Sequence, residues 1–273
     1  QVRFTIIADN PKVEIPLEVD RLVDNQKVFL IRHPVNKGVC EARNAGIEHA
    51  ISDWILFMDD DVVPAKDLLI KYTEAIKQHP DEIGFFGDTI FPKPFNMFTR
   101  GLEASVILTF FTIGQKMKSV KWIPTPNVIV KHSAIGDTRF DVNFDKFGAG
   151  EEIDFFLRVY KTTGKELQAL HNAPVYHDWW HNGKRDYARF YRWAGGFTIL
   201  IDKFPEYTFY SFPNLVETFI LGLLVMIPAS IYLHSFIPLI SLIVGLVVGE
   251  CSAEALNMVA HKGIAKSVYA VGS

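Results

Sequence analysis

Three adjacent aspartates, Asp59, Asp60 and Asp61, are the residues whose types and spacing most clearly predict chemistry. Adjacent carboxylates repel one another and are costly unless a cation or hydrogen-bond donors neutralise them. A hard divalent ion, Mg²⁺ or Mn²⁺, held by one or two carboxylates and by phosphate oxygens, would neutralise them simply. Alternate side chains of an extended chain share a face, so Asp59 and Asp61 could hold one ion while Asp60 points elsewhere. The alternative is a solvated acidic turn that caps a helix starting near Pro64.

A second acidic pair, Glu151-Glu152, follows a glycine-containing turn and opens a helical pattern. A carboxylate in this place could act as a general base that removes the proton of a substrate hydroxyl. Acids in the first turn of a helix are also favoured by the helix dipole for purely structural reasons. The residues alone therefore leave open whether this pair is catalytic.

The elements that must position both acidic groups are those of an α/β fold. Up to about residue 93, short β-type runs alternate with amphipathic helical stretches, which predicts βαβ units and a mostly parallel sheet with flanking helices. The apolar run 54–58 is typical of a buried central strand and leads directly into Asp59. Ligands bind at the carboxyl ends of the strands in such sheets, so this position favours a binding site.

Residues 212–258 are almost continuously apolar, and we interpret them as transmembrane helices. One span needs about 20 apolar residues, and the run divides at His234-Ser235 into two pieces of roughly that length, which predicts a helical hairpin. Lysine and arginine residues flank the run on both sides, so the positive-inside rule predicts both ends in the cytosol. We therefore expect an integral membrane protein whose catalytic domain faces the cytosol, with 259–273 as a cytosolic tail.

Overall composition excludes several classes of protein. A net charge of −3 and a pI near 6.3 provide no general attraction to nucleic acid, so we expect no nucleic-acid partner. The chain has 2 cysteines, Cys40 and Cys251, in contrasting contexts, which is not the pattern of a disulfide scaffold or a zinc site. The sequence does not predict an oligomeric state.

Several segments, in order and at the usual spacing, resemble glycosyltransferase family 2 over roughly residues 4–200. The similar segments are 36–46, 54–61, 126–131, 140–141 and 150–154. The resemblance implies a GT-A-like (Rossmann-like) fold and an enzyme of hexosyltransferase type that uses a nucleotide-diphosphate sugar. The family's first strand, which precedes the strand ending at Asp9, is expected to be missing here.

The resemblance also implies roles for particular residues. Glu152 matches the catalytic base of inverting members, with Glu151 as the alternative. The metal-binding residues implied are Asp59, Asp61 and His177, with Mn²⁺ or Mg²⁺ as the cofactor. The donor-binding residues implied are Asp9, Arg43, Asp60, Arg192 and Trp193.

The segment 189–196 is similar to the Gln-x-x-Arg-Trp motif of processive synthases, but Arg189 replaces the glutamine. Arg192 could contact the diphosphate and Trp193 could stack on a sugar. A basic, aromatic helix that lies on lipid headgroups explains the same residues. The replaced glutamine favours single transfer over processive synthesis.

These observations predict an inverting, metal-dependent glycosyltransferase that acts on a membrane-proximal acceptor, which is a lipid, a polyprenyl phosphate or a glycan. Residues 1–205 are expected to form the GT-A-like domain, with a nucleotide-sugar-binding half at 1–93 and an acceptor half with interfacial helices at 94–205. The alternatives are a processive polysaccharide synthase of cellulose or hyaluronan type and a non-catalytic, membrane-bound sugar-binding module with a degenerate transferase fold.

Overall fold

A computed structural model describes residues 2–24, 26–104, 107–207 and 215–262. The chain divides into two compact units. The first comprises Gln1–Pro92, Thr109–Asp178 and Asp186–Lys203, and the second comprises Lys93–Leu108, Trp179–Arg185 and the described part of 204–273.

The secondary structure alternates strands and helices as the βαβ pattern predicts. The strands are β1 (Phe4–Ala8), β2 (Val28–Arg32), β3 (Trp54–Phe57), β4 (Val62–Pro64), β5 (Gly84–Phe86), β6 (Thr89–Ile90), β7 (Ser119–Val120), β8 (Val128–Lys131), β9 (Leu167–Ala169) and β10 (Val175–His177). The α-helices are α1 (Leu17–Asp20), α2 (Val39–Glu48), α3 (Leu68–Gln78), α4 (Met97–Ala104), α5 (His132–Ile135), α6 (Glu151–Thr163), α7 (Ala188–Lys203), α8 (Leu215–Tyr232) and α9 (Ile237–Lys262). The 3₁₀ helices are Ile107–Gln115, Thr125–Asn127, Val142–Lys146, Trp180–Gly183 and Pro205–Tyr207.

The strands form mixed sheets, so the prediction of a mostly parallel arrangement is wrong. The strand orders are β1-β2, β4-β10-β6 and β3-β8-β5-β9-β7. β3 therefore lies at the edge of its sheet, and the prediction that it is a central strand is wrong, because an apolar run does not specify which strands pair with it. β1 and β2 pair in parallel, but β8 lies antiparallel between β3 and β5. The βαβ pattern covers only the first part of the chain, whereas β8 comes from the second part and enters the sheet in the opposite direction. Pairing between strands distant in sequence leaves no local periodic signal.

The core of the first unit packs α3 against the sheet. Leu68 and Tyr72 of α3 are buried with Phe85 of β5 and Ile129 of β8, and Trp54 packs against this group. Burial of such large apolar side chains stabilises a fold by about 1.5–3 kcal/mol each. This packing holds β3, and therefore the residues that follow it, in a fixed position.

Three phenylalanines connect the end of β3 to the start of α6. The rings of Phe140 and Phe155 stack with their centroids 4.1 Å apart, and Phe57 meets both rings edge-on. Phe57 lies two residues before Asp59, and Phe155 lies one turn after Glu151. The aromatic cluster therefore sets the distance between the two acidic groups.

The second unit contains α4, α8 and α9, and α8 packs against α9. Over the residues that the structure describes, none of the helices combines the length and the apolar character that crossing a bilayer requires. The predicted transmembrane hairpin and the predicted integral-membrane localisation are therefore wrong. The prediction rested on apolar composition along the sequence, whereas a span requires sufficient length and apolar character together in one helix. Residues 212–214 of the predicted spans and 263–273 of the predicted tail lie outside the described residues.

Candidate active site

Asp9, at the end of β1, holds the loop that leads from β2 to α2. Its Oδ1 lies 2.6 Å from His33 Nδ1 and accepts from the Lys37 amide at 3.0 Å, and its Oδ2 accepts from the Gly38 amide at 2.8 Å. Partial burial alone would raise the pKa of Asp9, but these hydrogen bonds lower it below its ordinary value. Asp9 therefore stays ionised and positions the loop, and its predicted contact with the donor stays a prediction.

The start of α2 is held by a carboxylate from a distant part of the sequence. Asp145 Oδ1 accepts a hydrogen bond from the Cys40 amide at 3.0 Å, where the first turn of the helix has amide groups without intrahelical partners. Gly38 precedes the helix with a φ of 98°, and a Cβ at this position would meet the Asp145 carboxylate. Burial raises the pKa of the Cys40 thiol, and Asp145 adds to the rise, so the protonated thiol is favoured over the thiolate.

Arg43 of α2 is the centre of the site. Its Nη1 donates to Glu151 Oε1 at 2.8 Å, and its Nη2 lies 3.5 Å from Glu152 Oε1 and 3.5 Å from Asp59 Oδ1. The Arg43 side chain is 14% exposed. The structure therefore brings three predicted carboxylates, Asp59, Glu151 and Glu152, together around the guanidinium of a fourth predicted residue.

Charge and burial shift the pKa values of this group. Burial raises the pKa of Asp59 despite the nearby Arg43. Burial also raises the pKa of Glu152 to about 7, and the charges of Glu151 and Asp59 contribute, while Arg43 opposes the rise. Burial alone would lower the pKa of Arg43, but the three carboxylates raise it. At neutral pH the site therefore holds a permanent cation beside a carboxyl group that can either bind or release a proton.

Glu151 and Glu152 differ in what they contact. Glu151 is 4% exposed, and among the described residues its Oε2 has no hydrogen-bond partner. Glu152 is 22% exposed at its side chain, and its Oε1 accepts a hydrogen bond from Thr125 Oγ1 at 3.0 Å. Glu151 is therefore enclosed with Arg43, whereas Glu152 can reach a substrate.

Asp60 and Asp61 have different surroundings from Asp59. Both are exposed, and Asp61 Oδ2 lies 3.3 Å from His177 Nε2. The ring of His177 stacks on Phe91 with the centroids 5.1 Å apart. In the part of the chain that the structure describes, no group of three or more His, Cys, Asp or Glu side chains could hold a metal ion. Two of the three predicted metal ligands, Asp61 and His177, thus lie close together, whereas Asp59 lies beside Arg43.

The predicted Arg-Trp residues lie at the start of α7. Arg192 is 44% exposed and its Nη2 lies 3.9 Å from Asp186 Oδ2. The Trp193 ring contacts Phe190 and has the guanidinium of Arg189 5.9 Å from its centroid. Burial lowers the pKa of Arg189, and the charge of Arg192 adds to this, while the charges of Asp186 and Asp61 oppose it.

Sequence reasoning missed Thr125 and His33. Thr125 directly precedes the Pro-Asn pair used for the resemblance, and His33 directly follows β2. Position at the end of a strand could have singled out His33. No local signal identifies Thr125, because its partner Glu152 is 27 residues away.

The geometry defines an α/β domain with clustered acids and one arginine at the end of β3, an edge strand of its sheet. Residues 2–137 match the family model described as Glycosyl transferase family 2. The chain therefore carries a domain of glycosyl transferase family 2, which confirms the resemblance to that family.

Two curated relatives, both named "Uncharacterized glycosyltransferase" and both from Haemophilus influenzae, are similar to part of the chain. The first is 38% identical over 58 residues, which is 21% of this chain and 22% of the relative. The second is 37% identical over 54 residues, which is 20% of this chain and 18% of the relative. The matched region thus spans about a fifth of each relative's length.

Two solved structures are similar to part of the chain. The chain resembles GalNAc-T7, crystallised with UDP, GalNAc and Mn²⁺, with a TM-score of 0.51 and 14% identity over 76% of this chain and 43% of that one. It also resembles Staphylococcus aureus TarS 1–349 in complex with UDP, with a TM-score of 0.48 and 15% identity over 64% of this chain and 51% of that one. At these identities the likeness concerns the fold alone. With the family match, the likeness to GalNAc-T7 confirms the GT-A-like α/β fold.

Proposed function

We propose that this protein is an inverting glycosyltransferase that moves a sugar from a nucleotide-diphosphate donor to an acceptor hydroxyl. The observation that supports this most strongly is the position of Arg43, which lies 3.5 Å from both Asp59 and Glu152. One side chain thus connects the acid that follows β3 to an acid in the first turn of α6. A donor group held beside Asp59 would lie next to a carboxyl group suited to accept a proton.

Glu152 is the residue we assign as the base. Its pKa of about 7 matches the operating range of a general base, and it is more exposed than Glu151. Glu152 takes the proton of the acceptor hydroxyl as the acceptor oxygen forms its bond to the anomeric carbon. The bond between that carbon and the diphosphate oxygen breaks, and the nucleoside diphosphate leaves with the electron pair. Glu151 contacts Arg43 and is assigned to positioning it.

Asp61 and His177 are the residues that fit a divalent cation. His177 Nδ1 lies 2.5 Å from the Asp178 carbonyl oxygen, which directs Nε2 towards Asp61 and is the support that metal-ligating histidines commonly have. Two protein ligands with substrate phosphate oxygens suffice for Mn²⁺ or Mg²⁺. A cation bound here would supply Lewis-acid stabilisation of the leaving diphosphate. To act as a third ligand, Asp59 would have to replace its contact with Arg43 by a contact with the cation.

The remaining predicted residues are proposed to bind the donor. Asp9 lies at the carboxyl end of β1, where the sheet edge binds ligands. Asp60 is exposed beside Asp59, and Arg192 and Trp193 lie on the first turns of α7. Arg192 is 44% exposed and can therefore rotate to pair with a phosphate group.

The proposal is tested by release of nucleoside diphosphate from a panel of UDP-, GDP- and dTDP-sugars, with water or an added glycan as the acceptor. UDP-GalNAc is a suitable first donor, because UDP and GalNAc are bound in the GalNAc-T7 structure. We expect release from one donor, and the Glu152→Gln variant to lower it at least about 100-fold. The matched control is Glu74→Gln, which changes a carboxylate of α3 that is 55% exposed. Folded protein that releases no nucleoside diphosphate from any donor would contradict the proposal.

A further inference from the structure

Thr125 lies directly against the proposed base. It is fully buried at the start of the 3₁₀ helix Thr125–Asn127, and its Oγ1 donates to Glu152 Oε1 at 3.0 Å. A buried hydroxyl that donates to a carboxylate stabilises its ionised form. Thr125 thus supplies a short-range contact to a residue on another element.

The backbone that carries Thr125 is held firmly by Asn127. The Asn127 side chain accepts from the Tyr72 hydroxyl at 2.7 Å, and it donates to the carbonyl oxygens of Ala173 at 2.8 Å and Asp88 at 3.2 Å. These three partners belong to different parts of the first unit, so the segment has little freedom to shift. The Thr125 hydroxyl is therefore presented to Glu152 from a rigid support.

The two oxygens of Glu152 have different surroundings. Thr125 and Arg43 both contact Oε1, at 3.0 Å and 3.5 Å. Over the described residues, both side-chain hydrogen bonds to Glu152 go to Oε1. A carboxylate whose one oxygen is held by two donors has a fixed plane, and the second oxygen is then the one that meets an incoming hydroxyl.

We propose that Thr125 is a positioning residue that holds Oε1 of Glu152 and directs Oε2 to the acceptor hydroxyl. The inference rests on the proposed function, in which Glu152 is the base. Three other charged groups face Glu152: Arg43 of α2, Asp59 after β3 and Glu151 on its own helix. Thr125 also contacts Glu152 but is uncharged, so replacing it leaves the net charge of the site unchanged.

The test is the pH dependence of nucleoside diphosphate release by Thr125→Val and Thr125→Ser, with the donor that the panel identifies. Valine has nearly the shape of threonine but cannot donate, whereas serine keeps the hydroxyl. The Thr125 hydrogen bond lowers the pKa of Glu152, so its loss should move the acidic limb of kcat/KM upwards by about one pH unit. Release at pH 7 should fall about five-fold or more with the KM for the donor little changed, and Thr125→Ser should restore the profile.

The matched control is Thr163→Val, which removes a hydroxyl of α6 that donates to the Val159 carbonyl oxygen at 2.8 Å. It should leave the pH profile unchanged. A Thr125→Val variant whose activity falls only in proportion to its folded fraction, with the wild-type pH profile, would overturn the inference and give Thr125 a purely structural role. Failure of the proposed function is a different result, in which wild-type protein releases nothing or Glu152→Gln retains full activity.

Discussion

Arg43 and Glu151 form a short ion pair, with 2.8 Å between Nη1 and Oε1, and both side chains are largely removed from solvent. The pair joins the middle of α2 to the first residue of α6, which are 108 positions apart in the chain. It leaves the second guanidinium nitrogen of Arg43 facing Asp59 and Glu152.

Replacing Arg43 by glutamine should destabilise the protein by about 3 kcal/mol, because carboxylates that shared one cation would be left without it. The loss should be larger at pH 8 than at pH 5, where Asp59 and Glu152 are more protonated. Urea unfolding measures both. The control is Arg32→Gln, whose ion pair with Asp20 is more than half exposed and should contribute less than about 1 kcal/mol. Equal effects of the two variants would show that the Arg43 contacts do not stabilise the fold.

Glu152 should make the stability of the protein depend on pH. Burial raises its folded pKa from 4.5 to about 7, so the folded state binds the proton more tightly than the unfolded state does. This stabilisation is complete below about pH 4.5 and is lost as the pH rises through about 7. The free energy of unfolding of the wild type, relative to that of Glu152→Gln, should therefore fall by up to about 3 kcal/mol over this range. Urea titrations at pH 5, 6, 7 and 8 measure the difference, and parallel curves for the two proteins would contradict it.

Alanine at Gly38 should be more harmful than alanine at Gly148. Both glycines have positive φ values, 98° and 62°, so both substitutions strain the backbone. A Cβ at Gly38 also meets the Asp145 carboxylate, whereas a Cβ at Gly148 has no atom within 4 Å. We expect Gly38→Ala to lose about 1–3 kcal/mol more than Gly148→Ala in thermal or urea unfolding. Similar losses would mean that Asp145 moves aside without cost.

Activation by Mn²⁺ should depend on Asp61 and His177. We expect Asp61→Asn and His177→Gln each to raise the Mn²⁺ concentration needed for half-maximal activity by about 10-fold or more, while thermal unfolding without metal changes little. Direct titration of Mn²⁺ by its electron paramagnetic resonance signal gives a readout independent of turnover. Asp178→Asn is a suitable control, because only the backbone oxygen of Asp178 contacts His177. Unchanged Mn²⁺ affinity in both test variants would remove these residues from the metal site.

Local patterns predicted much of the fold and of the candidate site. An apolar run that ends in Asp59, and a glycine turn that precedes Glu151, are signals carried by neighbouring residues, and the structure has β3 and α6 at these places. The ordered family segments predicted that Arg43, Asp59, Glu151 and Glu152 share a site, and the distances between them show that they meet. Apolar composition led to one wrong prediction, the membrane spans of 212–258, because none of the described helices meets the requirements for crossing a bilayer.

By itself, the sequence determined the element types, the family and the identities of the acidic residues, because these depend on neighbours along the chain and on spacing. Only the tertiary structure decided that β8 runs antiparallel between β3 and β5. It also decided that the Arg43 guanidinium contacts three carboxylates and that Thr125 donates a hydrogen bond to Glu152. These contacts join residues tens of positions apart, and no periodic pattern encodes them. The shift of Glu152 to a pKa of about 7 is a property of the same kind, since it arises from burial and from charges that only the folded chain brings together.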